Sequence, residues 1–526
     1  MAQTADHPPF VSEEAPPRPS GLVGIAAAAV ALGVAQLTAV AFGPEADSRT
    51  AIGSAAIDLT PGPVKEWAIQ LFGTSDKLFL TVVILVAIGV IAALTAQYET
   101  RRIPLGSIAI ALAGFAGCAA VLSRSGASAV DVVPTLIGTV CGVLALRFLV
   151  SGRIADPKPA ETSADQQAPD PGRRLSLVTI GFIGAGVLTG VAGVVLNRLS
   201  SSVSGDRTAF TLPTMRGAAP PAPPPSVQPA GVAVTPFITP NDDFYRIDTA
   251  LSVPQLSRAD WRLRIHGMVD HEVTLTFDDL QRFDVVEEIV TLTCVSNPVG
   301  GDLVSNAKWT GYRVRDLLAG AGIHPDADMV LSTSIDGFTA GTPVEALTDQ
   351  RDALLAIGMN DAPLPIEHGY PARLVVPGLY GYVSATKWLV DLELTRFDRA
   401  ESYWTRLGWS PRGPIKTESR IDVPKSGQVV ARGPVNFGGV AWAQQRGIQA
   451  VEVQIDDGPW QQAQLGASYS KDTWRLWSFA WQADQPGSHQ IAVRATDGAG
   501  AVQTSEQADV VPDGASGWHT VSFTVK

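Results

Sequence analysis

The chain has 526 residues, more than the roughly 250 to 300 at which one hydrophobic core stops growing, so a single compact domain is excluded. Only 17% of its residues are charged, against about 25% in typical soluble proteins, and the mean hydropathy is +0.15, so part of the chain is expected in lipid. Most of the net charge of −12 falls after Asp206. An acidic domain repels phosphate backbones, so nucleic acid is not an expected partner.

Five apolar stretches are long enough to cross a bilayer, which takes roughly 20 residues. They cover residues 22–42, 78–97, 105–122, 132–150 and 175–196. We therefore predict a cytoplasmic tail over 1–20 and a five-helix transmembrane region over 21–198.

The loops of this region differ in their positive charge. Two of them carry the arginines and lysines that typify cytoplasmic loops. These residues are Arg101, Arg102, Arg153, Lys158, Arg173 and Arg174. The predicted protein is therefore a multi-pass protein of the cell membrane, and everything after the fifth span is extracytoplasmic.

The spans themselves carry little that suggests chemistry. They contain no His, Asp, Glu or Lys, so an anchor or docking role is favoured over haem binding or proton transfer. Gly186 and Gly190 have the spacing that lets helices approach closely, which predicts packing.

A proline-rich segment follows the membrane region. Nine prolines lie between Pro213 and Pro240, which predicts an extended, semi-rigid linker over 199–236. Strand-like and helical runs then alternate, which predicts an α+β domain over 237–412. From 413 to 526 only hairpin patterns occur, which predicts an all-β immunoglobulin-like sandwich of about seven strands.

The chain has three cysteines, and two of them, Cys118 and Cys141, lie in apolar stretches, so neither a disulfide framework nor a four-cysteine zinc site is expected. Cys294 ends an apolar strand and precedes a flexible loop with Gly300 and Gly301. Its position alone leaves three interpretations open: a buried structural thiol, a nucleophile assisted by a base such as His368, or a ligand-binding residue.

Six motifs stand in a fixed order in the second half of the chain. They are ITPNDDF at 238–244, WRLRIHG at 261–267, TLTC at 291–294, WTGY at 309–312, HGYPARLVVPG at 368–378 and KWL at 387–389. As an ordered set they resemble the molybdopterin domain of the sulfite oxidase family, over about residues 237 to 400. Residues 413–526 resemble the immunoglobulin-like dimerisation domain that follows it in that family.

The resemblance implies a molybdenum–molybdopterin cofactor and names its contacts. In the family, molybdenum is bound by two dithiolene sulfurs of one pterin and by one protein thiolate, and here Cys294 is the matching residue. It would be both metal ligand and catalytic residue. Arg373 and Lys387 would hold the phosphate of the pterin. The matching cofactor-binding positions are Thr239, Asn241, Asp336, His368, Arg373, Ser384, Ala385 and Lys387.

The sequence departs from the family after the cysteine. Sulfite-oxidising members carry an Asn-Arg-Arg segment there, whereas Asn297 is followed by Pro298 and Val299. This argues against a sulfite pocket and leaves the metal site unaffected. The predicted substrate is a small oxyanion or an S-oxide or N-oxide. The chain has no Cys-x-x-Cys-His motif, so a separate electron-transfer partner is expected.

We therefore predict a membrane-anchored oxidoreductase that transfers oxygen atoms at molybdenum, with a homodimer implied by the sandwich. The alternative is a membrane-tethered binding protein with a vestigial cofactor pocket. Two interpretations also remain open for Arg173 and Arg174: a twin-arginine export signal, or charges that only set the topology.

Overall fold

The structure is a computed structural model that describes residues 19–72, 76–100, 103–124, 127–151, 171–215 and 220–526. These residues fall into two compact units, within Met1–Leu59 and Ser75–Ser201 for the first and within Thr60–Thr74 and Ser202–Lys526 for the second. The predicted cytoplasmic tail lies outside the described residues apart from 19 and 20. So do four of the predicted topology-setting residues, namely Arg101, Arg102, Arg153 and Lys158.

The described residues up to 201 contain seven α-helices. They are α1 (Gly21–Ala39), α2 (Ser48–Leu59), α3 (Gly62–Phe72), α4 (Asp76–Ala96), α5 (Leu105–Leu122), α6 (Val133–Val150) and α7 (Pro171–Ser201). Of these, α3 belongs to the second unit. Five helices, α1 and α4 to α7, are long and apolar enough to cross a membrane, and they coincide with the five predicted stretches.

Glycines allow α1 and α7 to approach each other closely. A methyl group added to Gly33 would lie 2.1 Å from the carbonyl oxygen of Gly186, so the two backbones are in contact. A methyl group added to Gly190 would lie 3.5 Å from the Cα of Gly33. The predicted packing role of Gly186 and Gly190 is therefore confirmed.

The part of the second unit from Ser202 onward contains α8 (Ser204–Ala209), followed by a mixed α+β region. Its strands are β1 (Arg262–Gly267), β2 (Val273–Thr276), β3 (Val285–Thr293), β4 (Val304–Arg313), β5 (Met329–Ser334), β6 (Thr339–Pro343), β7 (Leu354–Met359), β8 (Ala362–Pro363), β9 (Arg373–Val375) and β10 (Leu389–Thr395). Two short helices, α9 (Val314–Ala319) and α10 (Val344–Thr348), follow β4 and β6.

These strands form two sheets. One has the order β2-β1-β10-β5-β6, with β1 and β10 parallel; the other has the order β3-β4-β7-β8, with β9 paired to β7. The predicted α+β class is confirmed. Residues Asp278–Arg282 form a 3-10 helix, and Asp279 accepts from the backbone N–H and the hydroxyl of Thr276, which fixes a tight turn there.

The last part of the unit is a β-sandwich. Its strands are β11 (Glu418–Val423), β12 (Val429–Val430), β13 (Gly433–Trp442), β14 (Ile448–Ile455), β15 (Gln461–Gln462), β16 (Gln464–Leu465), β17 (Arg475–Ala483), β18 (Gly487–Asp497) and β19 (His519–Val525). They form one sheet of order β11-β13-β17-β16 and another of order β12-β19-β18-β14-β15. In β14 the alternating Val451, Val453 and Ile455 are buried, as the hairpin pattern predicts.

Two tryptophans at or just before the start of β17 belong to the core. Trp474 and Trp477 are 2% and 0% exposed within the chain, so neither ring is available to a second subunit. Trp481 is half-buried and lies 5.7 Å from the ring of Phe437.

The described part of the proline-rich segment lies on the second unit. The N–H of Ala467 donates to the carbonyl oxygen of Ser226 at 2.8 Å, and the N–H of Thr235 donates to Asp422 at 3.0 Å. Val227 is 5% exposed. Residues 220–236 are therefore held by both hydrogen bonds and apolar contact.

The contact between α1 and α7 gives a test. Replacing Gly186 with Leu should force the two helices apart at a cost of about 1–3 kcal/mol. We expect a lower midpoint of thermal unfolding for the detergent-solubilised protein. Gly184→Leu is the matched control, because nothing lies within 4 Å of the added group at that position of the same helix. Equal effects of the two substitutions would contradict this packing.

Candidate active site

Cys294 stands directly after β3, at the start of a loop that returns to β4. Its N–H donates to the carbonyl oxygen of Leu303 at 2.9 Å, and the Leu303 N–H donates to the Asn297 side-chain oxygen at 2.9 Å. These bonds close the loop into a compact turn. The thiol-bearing residue is 9% exposed and lies in the wall of a cavity.

The cavity has a volume of about 900 Å³, open mouth included, and brings together residues far apart in sequence. Six of the predicted site residues line it, namely Cys294, Asp336, His368, Arg373, Ala385 and Lys387. Aromatic side chains form much of the remaining wall.

Three other predicted residues lie behind the cavity wall and shape its loops. The hydroxyl of Thr239 accepts from the N–H of Asn306 at 3.2 Å. The carboxamide oxygen of Asn241 accepts from Asn360 at 2.8 Å. The hydroxyl of Ser384 donates to the carbonyl oxygen of Tyr380 at 2.9 Å. Their side chains are therefore occupied by protein groups and do not line the cavity.

Arg373, on β9, is a buried cation. It is 5% exposed, and its guanidinium lies 5.1 Å from the ring centre of Trp309. Its Nη1 donates to the carbonyl oxygen of His368 at 3.1 Å and its Nη2 to that of Ala385 at 3.4 Å. No carboxylate among the described residues pairs with it, and burial lowers the pKa of Arg373 to about 10.

Lys387 is the second buried cation of the cavity. Its Nζ donates to Asp248 at 2.8 Å and to the carbonyl oxygen of Glu367 at 3.2 Å. Asp248 is shared, since Arg246 lies 2.9 Å from the same carboxylate oxygen. Burial lowers the pKa of Lys387 to about 8, although Asp248 opposes that shift. The three cations Arg246, Arg373 and Lys387 therefore have one paired carboxylate, that of Asp248, among the described residues.

His368 is neutral in this setting. It is 4% exposed, and its Nε2–H donates to the carbonyl oxygen of Asn241 at 3.3 Å. Burial, together with the charges of Arg373 and Lys387, lowers the pKa of His368 to about 3. The adjacent Gly369 has φ +110°, and a Cβ there would lie 3.1 Å from atoms of both cations, so this turn depends on glycine.

Sequence reasoning missed the aromatic wall and the carboxylate of Asp248. Phe338, Tyr382, Trp404 and Trp409 line the cavity, and the rings of Trp404 and Trp409 are 6.2 Å apart. The signal for the tryptophans was the aromatic run that begins at Tyr403, close to the predicted end of the domain. Asp248 follows no recognisable motif.

The residues present fit a phosphorylated, thiolate-ligated cofactor. A buried cation without a carboxylate is costly unless an anion joins it, and Arg373 presents a planar fork suited to phosphate. The hydroxyl of Ser334 is buried in the same wall without a hydrogen-bond partner among the described residues. The residues that surround Cys294 thus offer unused donors to a polar ligand. No group of three or more His, Cys, Asp or Glu side chains suited to a metal occurs among the described residues, so a metal here would need ligands from a cofactor.

The cavity of this α+β domain thus combines a thiol with the cations of Arg373 and Lys387. Residues 250–404 match the family described as "Oxidoreductase molybdopterin binding domain", and residues 418–493 match "Bacterial Ig domain". The chain is 34% identical over 153 residues to the "Uncharacterized oxidoreductase YuiH" of Bacillus subtilis (strain 168), covering 29% of this chain and 74% of that protein. The chain belongs to the sulfite oxidase family of molybdopterin oxidoreductases.

Sulfite oxidases are also among the relatives. The mitochondrial sulfite oxidase of Mus musculus is 31% identical over 294 residues, which is 47% of this chain and 53% of that protein. The chain thus spans about half the length of the mitochondrial sulfite oxidases it matches. Among solved structures, the sulfane dehydrogenase SoxCD from Paracoccus pantotrophus matches 56% of this chain and 85% of that chain, at 24% identity and a TM-score of 0.48.

The neutral state of His368 predicts a pH dependence of stability. The unfolded chain takes up a proton at this residue near pH 6.5, whereas the folded cofactor-free protein resists it down to about pH 3. The free energy of unfolding should therefore fall as pH drops from about 6.5 towards 3, by at most about 1.4 kcal/mol per pH unit from this residue.

Thermal unfolding of the cofactor-free protein between pH 7 and 4 measures this effect. We expect a shallower loss of stability in His368→Gln than in the unchanged protein. His271→Gln, which alters an exposed histidine, is the control. Parallel pH profiles for the unchanged protein and His368→Gln would contradict the prediction.

Proposed function

We propose that this protein is a membrane-anchored oxidoreductase that transfers an oxygen atom and two electrons at a molybdopterin-bound molybdenum. The observation that carries the proposal is Arg373, a buried cation without a carboxylate, in the same cavity as Cys294 and Lys387. A pocket kept only for protein packing would gain stability by losing that charge.

Each cavity residue has a role in this proposal. Cys294 is the thiolate ligand of molybdenum and the catalytic residue. Arg373 binds the pterin phosphate as a fork, and Lys387 binds it as a point charge. Neutral His368 accepts from or donates to the polar pterin without adding charge. Thr239, Asn241 and Ser384 hold the loops from which backbone groups reach the cofactor.

The bound cofactor supplies the two-electron redox chemistry at molybdenum, which cycles between its VI and IV states. Tyr245 and Tyr382 line the same cavity as Cys294, and Tyr380 and Tyr382 are buried. Burial raises the pKa of Tyr245, and the nearby Cys294 adds to that increase. The ring hydroxyl therefore stays protonated and available as a hydrogen-bond donor.

The wall of the cavity favours one of the predicted substrate classes. Its cations, Arg373 and Lys387, are assigned to the phosphate, and the turn after Cys294 supplies no arginine. Phe338, Trp404 and Trp409 line the same cavity. A neutral S-oxide or N-oxide that carries an apolar group matches these residues better than a small oxyanion does.

The membrane placement is also part of the proposal. The five apolar helices support an anchor, and the predicted loop charges support an extracytoplasmic second unit. Export of a folded, cofactor-loaded domain is consistent with a twin-arginine route at Arg173 and Arg174. A separate partner would exchange electrons with the site. A homodimer through the sandwich remains part of the proposal, without Trp474 and Trp477 at its interface.

Metal content tests the enzyme against the alternative of a binding protein with a vestigial pocket. Purified from a host that makes the cofactor, the protein should hold about one molybdenum and one pterin per chain. Cys294→Ser should lose turnover and most of the metal and keep much of the pterin, because the pterin donors lie on other loops. Elemental analysis measures the molybdenum, and the fluorescence of the oxidised pterin measures the pterin.

Cys118→Ser is the matched control, as this cysteine lies in α5 within the first unit. Absence of molybdenum from the unchanged protein would support the binding protein. Full activity in Cys294→Ser would reject the ligand assignment.

The aromatic wall gives a test of substrate class. Reduction of a sulfoxide takes two electrons and two protons and yields a sulfide and water, with a reduced viologen as the electron donor. Trp404→Ala should raise KM for an aryl methyl sulfoxide by roughly 2- to 12-fold, because a stacking interaction worth about 0.5–1.5 kcal/mol is lost. The KM for dimethyl sulfoxide should change much less.

Trp460→Ala, in the sandwich, is the control for a general effect of losing a tryptophan. The reverse reaction and sulfite oxidation are assayed with ferricyanide. A kcat/KM for sulfite above that for every sulfoxide and sulfide would overturn the substrate class and leave the enzyme proposal in place.

A further inference from the structure

The end of β3 is held by the sandwich as well as by its own sheet. The N–H of Thr291 donates to the carbonyl oxygen of Asp472 at 3.0 Å. The hydroxyl of Thr291 accepts from the N–H of Trp474 at 2.7 Å. Both partners lie in the segment that leads into β17. The sandwich therefore bonds to β3 two residues before the strand ends at Thr293.

Gln444, just after β13, makes the contact nearest to the cysteine. Its Nε2 donates to the carbonyl oxygen of Thr291 at 2.9 Å and to the hydroxyl of Thr293 at 3.2 Å. The residue is fully buried, and its Oε1 has no hydrogen-bond partner among the described residues. Burial of an unpaired acceptor costs free energy, so the two donated bonds decide how this amide is oriented.

Strand geometry separates the two faces of β3. Side chains alternate along a strand, so Thr291 and Thr293 share the face that meets Gln444. Leu292 faces the other way, into an apolar cluster that includes Phe244 and Trp309. The sandwich therefore fixes the strand from the face opposite to Leu292, immediately before the chain turns at Cys294.

Further hydrogen bonds connect Thr291 to the loop at the start of the cofactor domain. The hydroxyl of Thr291 donates to the carboxamide oxygen of Asn306 at 2.9 Å. The Nδ2 of Asn306 donates to the carbonyl oxygen of Phe237 at 2.7 Å, and the indole N–H of Trp474 donates to that oxygen at 2.9 Å. The loop that contains Thr239 is therefore connected to the cysteine strand through buried side chains.

We infer that Gln444 is a positioning residue for Cys294, and that the sandwich completes the active site by fixing the end of β3. A ligand must be held within about 0.5 Å of its productive position, and groups that bond to a ligand's surroundings tune the metal. In this assignment the sandwich has a role in each subunit that is independent of any dimer. The inference rests on the proposed function in that Cys294 binds the metal.

Gln444→Met tests the inference in the full-length protein, since methionine keeps the length of the side chain and removes both donors. We expect a fall in kcat of about 10-fold with an unchanged KM, and altered g-values of the Mo(V) electron paramagnetic resonance signal. A residue with a merely structural role would lower stability and leave this signal unchanged. Thr293→Val removes only the hydroxyl that accepts from Gln444 and should change the signal in the same direction.

The two substitutions together form a double-mutant cycle. If Gln444 acts through Thr293, the fall in kcat of the double variant should be smaller than the product of the two single effects. Gln454→Met is the control for the loss of a glutamine amide, because the Gln454 Nε2 donates within the sandwich only, to the carbonyl oxygen of Gly458 at 2.7 Å. Unchanged kcat and unchanged g-values in both Gln444→Met and Thr293→Val would overturn the inference.

Hydrogen exchange separates failure of the inference from failure of the proposed function. The backbone amides of Thr291 and Cys294 should exchange faster in Gln444→Met than in Gln454→Met, whether or not metal is bound. Faster exchange in a protein that holds no molybdenum would support the link between Gln444 and the end of β3 and would reject the proposed function. Equal exchange in the two variants would reject the link itself.

Discussion

The second unit depends on the balance of charge around Arg373. Arg373 is the first residue of β9, and its buried guanidinium lies over the ring of Trp309. It donates to carbonyl oxygens, and no carboxylate among the described residues pairs with it. A cation so placed is stable only with an anion beside it or with carbonyl dipoles turned towards it. The structure provides the dipoles, and a phosphate would provide the anion.

The neighbouring groups are consistent with that constraint. His368 stays uncharged because burial, and then the charges of Arg373 and Lys387, lower its pKa, while Lys387 is paired with Asp248. Asp248 in turn contacts Arg246. The cations Arg373 and Lys387 and the aromatic rings of Trp404 and Trp409 line the same cavity. In the proposed function the cations recognise a phosphate and the rings recognise an apolar group of the substrate.

How far the sequence alone could go differs between parts of the chain. Hydropathy identified all five apolar helices, because length and composition suffice for such segments. The α+β and all-β regions also followed from periodicity. Motifs brought Cys294, His368, Arg373 and Lys387 to one cavity, since each lies in a run that resembles the family.

Other features could not be read from the chain. Asp248 and Gln444 are placed at or near the site only by long-range packing, and no local pattern marks either residue. Trp404 lies in an aromatic run, but the run alone does not show that its ring lines the cavity. Thr239, Asn241 and Ser384 were predicted at the site, and their side chains instead bond to the protein behind it. A motif identifies a loop near a ligand, whereas the direction of each side chain depends on neighbours from distant segments. For the same reason the sequence could not show that Trp474 and Trp477 point into the core of the sandwich.

The proline-rich segment before the cofactor domain bears on the order in which the protein is made. Ser226 bonds to Ala467, and the carbonyl oxygen of Phe237 bonds to Trp474, so residues made early are held by residues made some 240 positions later. β12 pairs in parallel with β19, the last strand that the structure describes. A chain made only as far as residue 412 would therefore lack the sandwich partners of these segments, and contacts of such high sequence separation form late. The strand before Cys294 acquires its bonds to Gln444, Asp472 and Trp474 only after those residues have been made.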